Sequence, residues 1–147
     1  MIVRSNRRMT RAGAATLETA MVMLPVILLF CGVFQYGRLL MSWNVLNNAA
    51  REGCRYALVN NTKTTITTDV DAVVRATMGT QQVSYFDNFT VTVTGTHLGV
   101  DTPVNNLVAG DFITVTVSGK YKFISLPIPT PTMTMKSAVT MVCEGAM

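Results

Sequence analysis

The chain has 147 residues, of which 49% are hydrophobic and 14% are charged, enough for one modest domain and one membrane segment. Its formal net charge of +4 is local, because Arg4, Arg7, Arg8 and Arg11 all precede residue 12. Without these four arginines, Lys+Arg falls from 12 to 8 against 8 Asp+Glu, so the rest of the chain has no net side-chain charge. This distribution argues against a basic surface for nucleic acid.

Residues 19–37 contain no charged side chain and predict a transmembrane helix. As an α-helix this stretch would span about 28 Å, close to the thickness of the hydrocarbon core of a bilayer. The arginines before it and the single Arg38 after it predict a cytoplasmic N-terminus and an extracytoplasmic remainder. A cleaved secretory signal is the alternative, but no small-x-small cleavage site follows the stretch, and a signal core has no use for Glu18.

Pro25 lies inside the apolar stretch and predicts a helix kink. Membrane helices tolerate such a residue, because neighbouring groups satisfy the backbone that proline leaves unpaired. An ordinary transmembrane proline without a special role is an equal alternative.

The helix is expected to continue to about residue 59, since apolar residues recur there at alternating steps of four and three. This stripe comprises Leu39, Trp43, Leu46, Ala50, Gly53 and Ala57. It can pack against strands of its own domain or against neighbouring subunits, and own-domain packing is the simpler expectation. Ala49, Ala50 and Gly53 are small enough for the close approach of another helix.

A short second helix is predicted at about residues 68–78, after a polar loop. Thr68 is the expected N-cap and Gly79 the expected stop. Its apolar stripe comprises Val70, Val73 and Val74.

From about residue 83 to 143 the hydrophobic period changes from helical to two, which predicts half-buried antiparallel strands. The strand-like segments are residues 89–95, 112–119, 120–125 and 132–144. Ser118-Gly119 is expected to form a hairpin turn. The loop before the last strand is expected at Pro127, Pro129 and Pro131.

Catalytic chemistry has little support in this sequence. His97, the single histidine, lies in the turn-like GTHLG and is expected to be exposed, so a His pair for zinc is absent. There is no glycine-rich phosphate loop and no nucleophile elbow. The aspartates are expected at a helix start, in loops and at strand edges, and none forms a convincing catalytic pair. We therefore expect no enzyme activity, no metal site and no cofactor.

Three cysteines leave one unpaired in any pairing scheme. Cys31 lies in the middle of the apolar stretch and is best explained as a small apolar filler. Cys54 on the helix and Cys143 on the last strand would both face an oxidising compartment. A disulfide between helix and sheet and two free thiols are both open, because sequence does not show whether their Cα atoms approach within about 7 Å.

The N-terminal motif resembles that of type IV prepilins: a basic leader, Gly13, then AATLE with an acid five residues after the glycine, then a long apolar helix. The wider pattern is similar to TadE-like pseudopilins of the Tad (tight adherence, Flp) system. The resembling stretches are GAATLETAMVMLPVILLF, FQYGRLLMSWNVLNNAAREGCRYALV and, loosely, AGDFITVTVSGKYKF. Ala14 stands where many prepilins have Phe, and Thr19 where Tad major pilins have Tyr.

The resemblance implies an α+β, pilin-like fold in which one long N-terminal helix packs on a small antiparallel sheet. Residues 1–13 would be a leader that prepilin peptidase removes after Gly13. Residues 14–37 would be the transmembrane and assembly segment. Residues 38–147 would form the extracytoplasmic domain, which begins with the amphipathic helix 38–59.

The resemblance also suggests a role for Glu18. A charge buried in a bilayer costs about 2.5 to 3.5 kcal/mol on insertion scales, so it needs a partner. Cleavage would create one, the new ammonium group of Ala14, which is four residues from Glu18 on a helix or meets the Glu18 of a neighbour. The alternative places Glu18 in the headgroup layer, where the helix dipole favours an acid.

The implied function is structural: a minor pilin or pseudopilin in assembly of a Tad-type pilus. The implied partners are prepilin peptidase, other pilin or pseudopilin subunits, the inner-membrane assembly platform and membrane lipid. The expected location is the inner membrane, in a single pass, with transfer to the extracellular pilus on assembly. A scaffold or export component that never enters the fibre is the first alternative, and a membrane-tethered enzyme is the second.

Overall fold

The structure is a computed structural model that describes residues 7–123 and 132–143. The chain divides into two compact units, the first ending at Arg38 and the second beginning at Leu39. Residues 1–6 of the expected leader, and the expected loop at Pro127, Pro129 and Pro131, lie outside the described residues.

The first unit is the N-terminal part of helix α1, which extends from Arg7 to Val59. The helix continues without interruption through Pro25, so the expected kink stays a prediction. Among the described residues, α1 is the one helix that is long and apolar enough to cross a membrane, with a mean hydropathy of 2.2 in its apolar window. The chain therefore has an N-terminal helix suited to anchoring in a membrane.

In the second unit, α1 buries one face against the rest of the domain. Its buried residues are Ser42, Leu46, Ala49, Ala50, Gly53, Cys54 and Ala57. The expected own-domain packing is confirmed, but Trp43 is 40% exposed, and the prediction that it lies in the stripe is wrong. Buried positions at 42, 46 and 49 place the centre of the buried face one residue before Trp43 on the helix.

Helix α2 extends from Ile66 to Val83 and contains a break at Gly79, where φ is +75°. The helical turns before Gly79 thus end where the sequence predicted. The start differs: Thr65 precedes the helix and its hydroxyl donates to Asp69 Oδ2 at 3.1 Å, so the prediction of Thr68 as N-cap is wrong. The earlier start extends the buried stripe by Ile66, which is 4% exposed.

Four antiparallel strands form one sheet in the order β2-β1-β3-β4. They are β1 (Phe86–His97), β2 (Val100–Thr102), β3 (Phe112–Tyr121) and β4 (Met133–Val142). A 3₁₀ helix, Val104–Asn106, lies between β2 and β3. The two helices and this sheet confirm the predicted α+β class. The short strand β2 was not predicted.

The prediction of a hairpin turn at Ser118-Gly119 is wrong, because β3 continues to Tyr121 and Gly119 pairs with Met135. A glycine at position 119 is explained by packing instead. A Cβ atom at position 119 would lie 3.1 Å from the Cβ of Phe86, so the missing side chain makes room for that aromatic residue. Phe86 in turn packs edge-on against Tyr121, with ring centroids 5.8 Å apart.

The sheet has one covered face and one exposed face. Ile113, Val115 and Val117 point to the covered face and are fully buried. A Cβ atom at Gly53 would lie 2.7 Å from Val74 Cγ2 and 3.6 Å from Val115 Cγ1, so α1, α2 and the sheet meet there. The opposite face carries threonines, which hydrogen-bond across strands, as between the hydroxyls of Thr114 and Thr140 at 2.8 Å.

Candidate functional site

The Gly13 to Glu18 segment is a regular, exposed part of α1. Ala14 and Glu18 are four residues apart, so their Cβ atoms lie on the same side of the helix. The hydroxyl of Thr16 donates to the carbonyl oxygen of Gly13 at 2.8 Å, and that of Thr19 donates to the carbonyl oxygen of Ala15 at 2.9 Å. The peptide bond after Gly13 is therefore within hydrogen-bonded helix.

The helix after this segment carries large apolar side chains that are exposed. Its large apolar side chains are 41% to 78% exposed. They include Leu17, Met21, Val22, Met23, Leu24, Val26, Ile27, Leu28, Leu29, Phe30, Val33, Phe34 and Tyr36. Contiguous apolar surface of this extent marks a contact with lipid or with other proteins.

His97 and Asp111 form a pair that the sequence did not reveal. Nδ1 of His97 lies 2.6 Å from Oδ1 of Asp111, and because a carboxylate accepts hydrogen bonds, the Nδ1–H donates. His97 is the last residue of β1 and its side chain is 44% exposed, so the expected loop position is wrong. The pairing of Thr96 with Phe112 brings the two residues together, and sequence alone does not give that register.

Asp111 is 5% exposed and connects three segments of the domain. Its Oδ2 accepts the backbone N–H of Val108 at 2.8 Å, and its carbonyl oxygen accepts the N–H of Cys143 at 2.7 Å. The Val108 N–H, and then His97, hold the pKa of this carboxyl below its ordinary value. These contacts indicate a role in holding the loop before β3.

The described residues contain no group of three or more His, Cys, Asp or Glu side chains able to hold a metal ion. The carboxylate oxygens of Asp111 accept hydrogen bonds from the imidazole of His97 and from the backbone of Val108. These hydrogen bonds indicate a structural role for the carboxylate.

The three cysteines are free in this structure. Cys54 and Cys143 are both buried in the second unit, and the thiol of Cys54 lies 3.5 Å from the carbonyl oxygen of Ile113. Burial raises the pKa of both thiols, so the neutral form is favoured at neutral pH. A disulfide between Cys54 and Cys143, which an oxidising compartment would allow, stays a prediction.

A cleft of about 360 Å³ lies beside the β1–β2 hairpin. Ile66, Val93 and Val104 supply its apolar lining, and Ile66 and Val104 are themselves buried. Polar side chains at the cleft include Thr64, Thr67, Asp101, Thr102 and Asn105. An apolar lining with polar groups around it is the usual composition of a binding cleft.

Residues 13–55 match the protein-family model described as TadE-like protein. The match begins at Gly13, covers the exposed apolar helix and ends one residue after Cys54. No curated protein and no solved structure matches the chain.

Proposed function

We propose that the chain is a structural minor pilin or pseudopilin of the Tad pilus, because residues 13–55 match the family model of TadE-like proteins, whose name associates them with that pilus. Prepilin peptidase would remove residues 1–13, and the subunit would then pass from the inner membrane into the fibre. The observation that carries this proposal is the apolar helix after Ala14, whose large side chains are exposed.

Such a helix can exchange one apolar environment for another. In the membrane its side chains contact lipid, and in a fibre they would contact the same helix of neighbouring subunits. Apolar side chains gain little hydrophobic free energy in moving from lipid to protein, so packing and polar contacts must favour assembly. Glu18 is the ionisable group in this segment that can supply such a contact.

Cleavage supplies the partner of Glu18. The free amine of Ala14 would be an ammonium group at neutral pH, since α-amino groups have pKa values near about 7.7 to 8.0. It would lie one helical turn from Glu18 of its own chain, or next to Glu18 of a neighbour. Either contact neutralises two charges in an apolar environment, where an unpaired charge costs about 2.5 to 3.5 kcal/mol.

The bond to be cut lies inside hydrogen-bonded helix, so the peptidase must unwind the chain locally. Glycine assists this step, because it is less favourable than alanine in a helix by about 0.8 to 1.0 kcal/mol. Gly13 has no neighbouring atoms within 4 Å of the position that a Cβ would occupy, so the fold does not require a glycine there. The need of the peptidase to reach the peptide bond is a sufficient reason for a glycine at position 13.

The folded second unit has a different task under this proposal. Its helices and sheet bury a core of their own, and the resulting rigid unit is the part that the fibre would display. Its partners are other pilin or pseudopilin subunits and the inner-membrane assembly platform. The N-terminus would face the cytoplasm and this unit the extracytoplasmic side, as the arginines before residue 12 favour.

A permanently anchored scaffold of the Tad secretion system is the second candidate, because the hydropathy of α1 suits lipid equally well. The two candidates differ in what happens after export. A scaffold remains in the membrane fraction, whereas a minor pilin is found in pili sheared from the cell surface.

N-terminal sequencing of the protein from cells that carry the whole pilus system tests the proposal. We expect the mature protein to begin at Ala14. A Gly13→Leu variant should retain its leader, because a branched side chain fits poorly beside the bond to be cut, while Gly37→Leu in the same helix should be processed normally. Protein from these cells that still begins at Met1 would contradict the proposal.

A further inference from the structure

Two contacts between α1 and β4 fix the direction of the helix relative to the sheet in the folded unit. The hydroxyl of Ser137 donates to Asn47 Oδ1 at 2.6 Å, and the thiol of Cys54 lies 3.7 Å from the carbonyl oxygen of Val139. Because both residue numbers rise from the first contact to the second, the helix and the strand run in the same direction. Helix residues before Asn47 therefore lie beside strand residues before Ser137.

The rise of each element places the beginning of β4 level with the beginning of the folded unit. Leu39, the first residue of this unit, is about 12 Å before Asn47 along the helix. Thr134, which pairs with Lys120, is about 10 Å before the strand residue that contacts Asn47. In the sequence, Leu39 is two residues after the uncharged stretch ends at residue 37. In a membrane-anchored chain, this end of the sheet is therefore next to the membrane surface.

The lysines of the sheet region lie at this same end. Residues 84–143 contain three lysines, Lys120, Lys122 and Lys136, and all three are exposed. Lys120 pairs with Thr134, two residues before Lys136 on β4, so the two lysines are diagonal neighbours on the exposed face of the sheet. Their ammonium groups can therefore reach a common anionic surface.

One acid accompanies these lysines. Asp87 Oδ1 lies 2.6 Å from Lys122 Nζ, whereas the other two lysines form no ion pair with an acid that the structure describes. The remaining acids of residues 84–143 are Asp101 and Asp111, at the opposite end of the sheet. Three lysines and one aspartate give the end beside the membrane a net charge of +2.

The single tryptophan of the chain lies near this level as well. Trp43 is about 6 Å after Leu39 along the helix and is 40% exposed. Leu40 and Met41, beside it in the sequence, are 46% and 59% exposed. The headgroup layer of a bilayer is about 5 to 8 Å thick on each side, and tryptophan is enriched there. A position at the membrane surface explains why Trp43 is not in the core.

We propose that this end of the folded unit contacts the membrane surface and that Lys120 and Lys136 bind the phosphate groups of anionic phospholipids. An anionic surface attracts cations within about a Debye length, roughly 8 to 10 Å. Lys120 is about level with Leu39, and Lys136 is about 9 Å farther along the unit, a distance that its long side chain shortens. The inference rests on membrane anchoring in the proposed function, and it does not depend on removal of the leader or on entry into a fibre.

Fluorescence quenching in vesicles tests the contact. Full-length chains with Cys31→Ser and either Thr134→Cys or Thr140→Cys are labelled with bimane. They are reconstituted in an equal mixture of phosphatidylcholine and phosphatidylglycerol that includes a lipid with a quencher on its headgroup. Both threonines are exposed on the same face of β4, about 20 Å apart, whereas Cys54 and Cys143 are buried and label slowly. We expect quenching at position 134 to exceed that at position 140 at least about twofold, and equal or weaker quenching at 134 would overturn the inference.

Charge variants of the Thr134→Cys chain test the role of the lysines. Lys120→Gln combined with Lys136→Gln removes both cations. Arg55→Gln combined with Lys63→Gln is the matched control, because these exposed cations lie far along the unit from Leu39. We expect phosphatidylglycerol to raise quenching at least about twofold over phosphatidylcholine alone in the parent and the control, and to leave the lysine variant unchanged. An equal response of the two variants, or no response of the parent, would overturn the inference.

Two observations separate these outcomes from other causes. All the substituted cations are exposed, so the thermal midpoints of both charge variants should match that of the parent. Neither measurement involves the peptidase or a fibre, so a leader that stays uncut would contradict the proposed function without changing the quenching.

Discussion

Single residues hold together the end of the domain where β1 ends and β3 begins. Asp111 accepts one hydrogen bond from the imidazole of His97 and another from the backbone of Val108. The sequence showed one histidine and several scattered aspartates, and nothing in their spacing selected this pair. Their proximity follows from the register of β1 against β3, which tertiary packing determines.

The lowered pKa of Asp111 predicts how stability depends on pH. Its carboxylate stabilises the fold above the unfolded-state pKa of about 3.9, and the stabilisation is lost as pH falls through the lower folded value. We expect Asp111→Asn to lower the thermal midpoint at pH 7, and this difference should shrink below about pH 4. Asp101→Asn, at an exposed position, is the control and should change little. If Asp111→Asn lowers the thermal midpoint by the same amount at every pH, the Asp111 carboxylate is not the stabilising group.

At the scale of elements, α1 and α2 of the second unit approach each other closely at Gly53. The sequence predicted an apolar stripe and small residues on α1, and apart from Trp43 these residues are buried in the core or packed against it. It did not identify the neighbour, because Val70 and Val74 reach Gly53 only through a chain reversal near residues 60–65. Gly119 was misassigned for a similar reason: a Ser-Gly pair resembles a turn, whereas its place opposite Phe86 is a tertiary contact.

Gly53→Ala tests this packing. In an exposed helix the change would stabilise by about 1 kcal/mol. Here the new Cβ would lie 2.7 Å from Val74 Cγ2, in a buried and β-branched side chain that cannot move aside. We expect a net loss of about 1 to 3 kcal/mol in the free energy of unfolding, measured by urea titration in detergent.

Two further variants make that measurement specific. Gly37→Ala has no neighbouring atoms within 4 Å and should not destabilise the chain. Adding Val74→Ala to Gly53→Ala should recover part of the loss, because it removes the clashing methyl groups. A Gly53→Ala chain at least as stable as the parent would show that the helices are not in such close contact.

At the scale of the whole molecule, one chain joins an uncovered apolar helix to a unit that buries its own core. Composition and charge predicted this division, because hydropathy and the positions of the arginines depend on local sequence. The strand order, the α1–α2 contact and the His97–Asp111 pair depend on contacts between distant segments. The proposed function depends on local sequence, namely the hydropathy of the helix and the charges near its start. Its central claim is that Glu18 pairs with the amine that cleavage creates.

Quantifying the chain in sheared surface pili for Glu18→Gln tests that claim most directly. The amide keeps the shape of the side chain but cannot neutralise an ammonium group, whose burial unpaired costs about 2.5 to 3.5 kcal/mol. We expect the leader to be removed normally and incorporation to fall at least about tenfold, the factor that corresponds to 1.4 kcal/mol. Glu52→Gln, which alters an exposed acid of the folded unit, should incorporate normally. Incorporation of Glu18→Gln at the level of the parent chain would contradict the account.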